Sequence, residues 1–132
     1  MGNKVVTRAI ILVDGKVLLG KRARGRGVNQ YALVGGKPEE GESVENAIVR
    51  EVNEELGILF NDVKFWKKEL DKDSVPGELW DVYYFYGKGN GGLNLKKDEI
   101  LDTILVGKEN LPDIDLAFDH RKILEEFFSD AV

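Results

Sequence analysis

Glu51, Glu54 and Glu55 stand at i, i+3 and i+4 within the stretch Ser43 to Leu56, whose apolar residues Val44, Ile48, Val52 and Leu56 recur at helical spacing. On a helix such positions are neighbours, so the three carboxylates project within roughly one quadrant of its surface. Like charges held that close repel, and hard oxygens grouped in this way suit a divalent cation such as Mg2+, with Mn2+ as a substitute. A solvated acidic face is the alternative reading of any E-x-x-E-E run. The helix that must position these groups is marked at both ends. Ser43 is suited to the N-cap, Pro38 and Gly41 keep the preceding segment out of the helix, and Gly57 fits the left-handed position that stops it.

The wider segment decides between the two readings. Gly36 to Ile58 reads GKPEEGESVENAIVREVNEELGI and fits G-x5-E-x7-R-E-U-x-E-E-x-G-U, with U an apolar aliphatic residue, at every fixed position. This pattern resembles the Nudix box, the signature of hydrolases that cleave a pyrophosphate bond in nucleoside diphosphates linked to another group. The resemblance implies that Glu51, Glu54 and Glu55 are metal ligands, joined by the backbone carbonyl of Gly35 or Gly36. It makes Arg50 the partner of Glu42, fixing the loop against the helix, with no reason to approach the metal. It also implies metal-assisted substitution at phosphorus, in which a carboxylate, Glu54 or Glu99, takes the proton of an attacking water.

Composition agrees with this assignment without producing it. The chain has 132 residues, 42% apolar and 33% charged, which is the make-up of an ordinary globular protein and enough for one domain spanning 1–132. No apolar run approaches the ~20 residues needed to cross a bilayer, and MGNKVVTRAIILV reads as a strand rather than a signal peptide. With no cysteine there is no disulfide or thiolate site, which favours a cytoplasmic setting. A net charge of −5 repels an anionic nucleotide unless local cations intervene. Metal ions supply part of that neutralisation, and the run Lys21, Arg22, Arg24 and Arg26 offers the rest, with Arg22 the residue expected to reach phosphate. The overall acidity and the lack of interleaved basic and aromatic residues argue against nucleic acid as a partner. A small-molecule nucleotide is expected instead, with no membrane association and the chain acting as a monomer or homodimer.

The remaining elements are short. Val5 to Val13 and Lys16 to Arg22 are apolar runs joined through Asp14-Gly15, a two-residue hairpin signal. Tyr31 to Val34, Val63 to Leu70, Leu79 to Tyr86 and Ile100 to Val106 are further strands, and His120 to Phe128 is an amphipathic helix. Gly87 to Gly92, reading GKGNGG, is expected to be a turn or mobile loop. The fold class is α/β, a mixed sheet flanked by helices, and the Nudix resemblance makes it an α/β/α sandwich.

Outside the box the chain resembles the mammalian-type oxidised purine nucleoside triphosphatases, relatives of bacterial MutT. The segments VLLGKRARGRGVNQYALVGGK and PGELWDVYYF carry that likeness, with Val34 where the commoner form has proline. It implies that Trp80 lines a base pocket, that Thr7 lies near the base, and that Asp119 faces the pocket. Asp119 has a competing reading as the cap of the last helix. Glu99, in Lys97-Asp98-Glu99, is then an extra metal ligand or a water-activating group, set against a surface loop carboxylate. Ala32 and Ala117 replace an amide and an aromatic that those relatives place around an oxidised guanine. The segment LPDIDLAFDHRKIL is similar instead to prokaryotic ADP-ribose pyrophosphatases, so ADP-ribose or another nucleotide sugar is the alternative substrate. A non-catalytic nucleotide sensor is a third reading, which the intact box glutamates oppose. His120, the one histidine, is read as a packed polar residue rather than a general base.

Overall fold

The computed structural model describes residues 2–130. Its centre is β1 (Lys4–Val13), which runs parallel to β6 (Trp80–Asn90) along one edge. The other edge of β1 is shared. Antiparallel β2 (Lys16–Arg22) pairs with Ile11 to Val13, and β4 (Val34–Gly36) takes over at Thr7 to Ala9. β2 continues into pairing with β3 (Tyr31–Ala32) and β7 (Ile100–Val106), while β5 (Leu59–Asp71) pairs antiparallel with β6 at the sheet's far side. The result is a mixed seven-stranded sheet that splits where β2 and β4 part. The turn between β1 and β2 has Asp14 at φ 51° and Gly15 at φ 79°, the positive pair that a two-residue hairpin requires.

Alternation along the strands makes two cores. Val6, Ile10, Val82 and Tyr84 face one way and pack with Ile123, Leu124 and Phe127 of α2 (His120–Asp130). Ala9, Ile11 and Phe85 face the other way, onto Ile48, Val52 and Leu56 of α1 (Val44–Leu56). Helices on both faces of the sheet give the expected α/β/α sandwich. Each of these fully buried aliphatic side chains contributes about 1.5–3 kcal/mol. Because both faces of β1 and β2 are covered, these strands read in sequence as nearly continuous apolar runs rather than as an alternation.

α1 begins and ends where its sequence says. Ser43 Oγ accepts from the Asn46 N–H at 3.1 Å, and Gly57 closes the helix at φ 75° with its N–H donated to the Asn53 carbonyl. Three strand assignments change, and the first is β5, which begins at Leu59 rather than Val63. The stretch Tyr31 to Val34 is broken at Leu33, because the Leu33 N–H is donated to His120 Nδ1 at 3.1 Å. Gly87 to Asn90 is not a turn but the end of β6, with Gly87 opposite Ile11 of β1 and Lys88 to Asn90 paired with Leu59 to Asn61 of β5. Its glycines serve close packing: a Cβ on Gly87 would meet the Asn61 carbonyl oxygen at 2.7 Å, and one on Gly89 would meet Ile11 Cγ2 at 2.6 Å. Among the described residues no helix is long and apolar enough to cross a membrane.

Candidate active site

The loop before α1 is tied to the helix by one arginine. Arg50 grips Glu42 in a two-pronged pair, Nε to Oε2 and Nη2 to Oε1, each at 2.9 Å, and Nη2 also donates to the Lys37 carbonyl at 3.1 Å. Such a planar fork is the stronger kind of ion pair. The guanidinium, with the Glu39 N–H that Glu42 also accepts, holds the Glu42 carboxyl down to about 2. The expected pairing with Glu42 is thus present, but Arg50 does more than expected. Its Nη1 also donates to Glu51 Oε1 at 2.9 Å and to Glu54 Oε2 at 3.1 Å. Arg50 thus spans Glu42, Glu51 and Glu54, because two adjacent negative charges on one helix face draw in the nearest cation.

Glu55 turns inward. It is 9% exposed, its carboxyl is hydrogen-bonded to that of Glu51, and its Oε2 is buried with no hydrogen-bond partner. Burial first, and the adjacent Glu51 second, push its carboxyl up to about 9. Gly36 lies so close that a Cβ there would stand 2.4 Å from the Glu51 carboxyl carbon. Only glycine lets this loop rest on the carboxylate. Gly35 is more tightly constrained, since a Cβ on it would stand 1.9 Å from the Thr7 carbonyl oxygen, a backbone atom that cannot swing aside. Among the described residues no three acidic or histidine side chains converge as a ready-made metal site, because Arg50 holds Glu51 and Glu54. The donors nonetheless fit a hard divalent cation. The Glu55 carboxyl oxygen is buried without a partner, and the Gly36 backbone lies against the Glu51 carboxylate, which supplies hard oxygen donors of the kind that bind such a cation.

From Glu55 a cleft of about 430 Å³ runs along the α2 side of the sheet. Val6, Arg8, Trp80, Val82 and Tyr84 of β1 and β6 line it, together with Phe118, Asp119 and His120 from the approach to α2. At its far end the Trp80 ring lies beneath the Lys37 ammonium at 5.2 Å and that of Lys4 at 5.6 Å, and Trp80 Nε1 donates to Glu78 Oε1 at 3.0 Å. Arg22 is braced by a 2.7 Å bond from Nε to the Arg26 carbonyl, and Arg24 pairs with the Glu99 carboxylate. The Asp119 carbonyl accepts from the Ile123 N–H at 3.1 Å to start α2, while its carboxyl lines the cleft, where burial and then Asp71 raise it above the ordinary carboxylate value.

Of the residues singled out from sequence, Arg22, Gly35, Gly36, Glu55, Trp80, Glu99 and Asp119 line this one cleft. Glu51 stands behind Glu55, and Glu54 and Arg50 flank the wall outside the lining. Thr7 is not brought to the cleft. It is fully buried, and its hydroxyl donates to the Gly36 carbonyl at 3.0 Å, bracing the glycine loop rather than approaching a base. His120 is buried with Nδ1 accepting from Leu33, and burial, then Arg8 and Arg22, hold it well below the ordinary imidazole value. It is a neutral packed residue. Arg8, Lys37 and Phe118 were missed. Arg8 had a signal, a lone cation in the apolar run VVTRAIILV, and Lys37 was visible in the GGK that opens the box.

Residues 3–127 match the NUDIX domain family. The chain is 33% identical over 135 residues to the nucleoside triphosphatase NudI of Escherichia coli (strain SE11) and to that of Shigella flexneri serotype 5b, covering 94% of this chain and 96% of each relative. The crystal structure of a MutT NUDIX hydrolase from Burkholderia pseudomallei superposes with a TM-score of 0.81 at 29% identity, over 95% of this chain and 98% of that one. The NUDIX domain of Shewanella oneidensis NrtR, solved with ADP ribose, gives a TM-score of 0.87 at 16% identity over 100% of this chain and 90% of that one, a likeness of fold alone. With the box intact on α1 and the family match running through nearly all the described residues, this chain belongs to the Nudix hydrolase family.

Proposed function

We propose that this Nudix hydrolase is a divalent-cation-dependent pyrophosphohydrolase that converts a nucleoside triphosphate to the monophosphate and pyrophosphate. The observation that carries the reading is the content of one cleft, which is lined by Glu55 with its orphaned oxygen, by Arg8, Arg22 and Arg24, and by Trp80. Its relatives named nucleoside triphosphatase NudI support the same substrate class. The lining cations Arg8, Arg22, Arg26 and Lys37, set among the acids Glu55, Asp71, Glu99 and Asp119, suit an anionic phosphate chain.

Glu51, Glu54 and Glu55, with a carbonyl of Gly35 or Gly36, are the residues that would hold Mg2+, or Mn2+ in its place. A cation held there supplies polarisation of the diphosphate and a lowered pKa for water. The protein's own groups do the positioning. Trp80 offers a face for the base, and Arg22 and Arg24 neutralise the phosphate chain. Water oxygen bonds to phosphorus as the bridging P–O bond breaks, pyrophosphate leaves, and one water proton passes to a carboxylate. Both candidates are paired with an arginine, Glu99 with Arg24 and Glu54 with Arg50, and Glu99 suits the role better because it alone of the two lines the cleft. Arg50 acts as a positioning residue that fixes Glu42, Glu51 and the Lys37 backbone relative to one another.

The test is a substrate panel of ordinary and oxidised nucleoside triphosphates, ADP-ribose and nucleotide sugars, each with Mg2+ and with chelator. The highest kcat/KM is expected for a nucleoside triphosphate, with turnover lost in chelator. Preference for ADP-ribose, giving AMP and ribose 5-phosphate, would overturn the substrate class. Tight binding without turnover across the panel would make the domain a sensor.

A further inference from the structure

Arg8 is a cation for which the fold provides no partner. Its backbone is locked in the centre of the sheet, in register with Tyr84 on one side and Gly35 on the other. By strand alternation its side chain shares the α2 face with Val6 and Ile10, where an apolar residue would be the ordinary choice. The residue keeps some accessible surface, through the cleft, but its guanidinium lies deep among protein atoms. Among the described residues it makes no hydrogen bond or ion pair, and Glu55 and Asp71 act on it only through space. The nearest strong influence is a like charge. Arg8 Cζ is 5.9 Å and Arg22 Cζ 5.0 Å from the centroid of the same Phe118 ring, and Phe118 is held there with φ at 55°, a backbone state uncommon for a bulky side chain. Burial and the charge of Arg22 both disfavour the Arg8 cation. Two guanidiniums against one aromatic ring and lining one cleft disfavour each other, and an anion bound in that cleft offsets the cost.

We propose that Arg8 is a phosphate-binding residue that acts with Arg22, both set against Phe118, on the phosphate chain of the substrate. This rests on the nucleotide reading above. Position along the strand favours phosphate over base. Trp80 is in register with Lys4 and Tyr84 with Arg8, so Arg8 lies four residues beyond the aromatic platform, roughly 13 Å at the rise of a strand. That is further than the half-width of a nucleobase stacked on Trp80. It is instead beside Gly35 and close to Glu55, where the bond to be cleaved must lie.

The experiment is calorimetric binding of inorganic pyrophosphate, and separately of an unphosphorylated nucleoside, to wild-type protein, Arg8→Met and Arg8→Gln without divalent cation. Both variants are expected to bind pyrophosphate about tenfold or more weakly, the scale of one lost charged hydrogen bond, with nucleoside binding unchanged. Their unfolding midpoints should equal or exceed that of wild type, because an unpartnered cation has been removed. Pyrophosphate affinity within about twofold of wild type in a folded variant would overturn the proposal, as would an equal loss of nucleoside affinity. If Arg8→Met does not fold, Arg8→Gln, which keeps a polar tip, decides the matter alone. Wild-type protein that binds pyrophosphate through Arg8 yet hydrolyses no nucleoside triphosphate would support this assignment while refuting the proposed reaction.

Discussion

Replacing Glu55 by glutamine should stabilise the cation-free protein and abolish its response to Mg2+. The Glu55 carboxyl is pushed from an ordinary 4.5 up to about 9, chiefly by burial and then by Glu51. A folded-state value above the unfolded one means that the group's stabilisation is complete below 4.5 and is lost as pH rises towards 9. At pH 7 the folded chain must keep a proton that the unfolded chain has released. At about 1.4 kcal/mol per unit over the interval from 4.5 to 7, the cost is at most about 3.5 kcal/mol. Glutamine keeps the shape, donates to Glu51 in place of the carboxyl proton, and does not titrate. Glu55→Gln is therefore expected to gain about 2–3 kcal/mol at pH 7, a rise of several degrees in Tm for a chain of this size. Denaturant unfolding from pH 5 to 9, with and without saturating Mg2+, reads both effects. Wild type should lose stability with rising pH and recover it with Mg2+, whereas the variant should show neither dependence and little activity. A variant with the wild-type pH slope, or one stabilised by Mg2+ as strongly as wild type, would refute the argument.

Arg50→Ala leaves Glu42, Glu51 and Glu54 without their shared cation; it should lower stability by about 2 kcal/mol along with turnover, and an unchanged Tm with lost activity would mean that Arg50 contacts substrate instead. Trp80→Ala should raise KM for a good nucleotide substrate by the equivalent of about 1–3 kcal/mol with a smaller change in kcat, and an unchanged KM would remove the base from this strand. His120 is held neutral, below its ordinary 6.5, so its contribution to stability is present above 6.5 and is lost as pH falls, at a rate approaching about 1.4 kcal/mol per unit. Urea unfolding of His120→Gln should show a shallower loss below pH 6.5, and an identical acid profile would contradict the role assigned to this ring.

The parts of the site that were legible in the sequence are the local ones. Ser43, Gly57 and the apolar spacing between them mark α1 because capping and helical periodicity act over a few residues, and Asp14-Gly15 marks its hairpin for the same reason. What was hidden depends on which strands meet. Nothing local says that β2 and β4 share an edge of β1, yet that pairing sets Gly35 against the Thr7 backbone and Gly36 against the Glu51 carboxylate. Thr7 and Arg8 show the consequence of one residue's difference in parity. Thr7, expected at the base, points into the core and braces Gly36, while its neighbour Arg8 reaches the cleft. Gly87 and Gly89 read as a turn because glycine usually marks one, and only tertiary contact with Asn61 and Ile11 reveals them as strand residues under close packing.

The central claim is hydrolysis of a nucleoside triphosphate at the bond that releases pyrophosphate, performed at the α1 carboxylates. Phosphorus NMR of a single turnover reaction, wild type against Glu55→Gln and each with and without chelator, tests it most directly. Equimolar nucleoside monophosphate and pyrophosphate are expected from wild type with Mg2+, and unreacted triphosphate in the other samples. Nucleoside diphosphate and orthophosphate as products, or full turnover by Glu55→Gln, would contradict it.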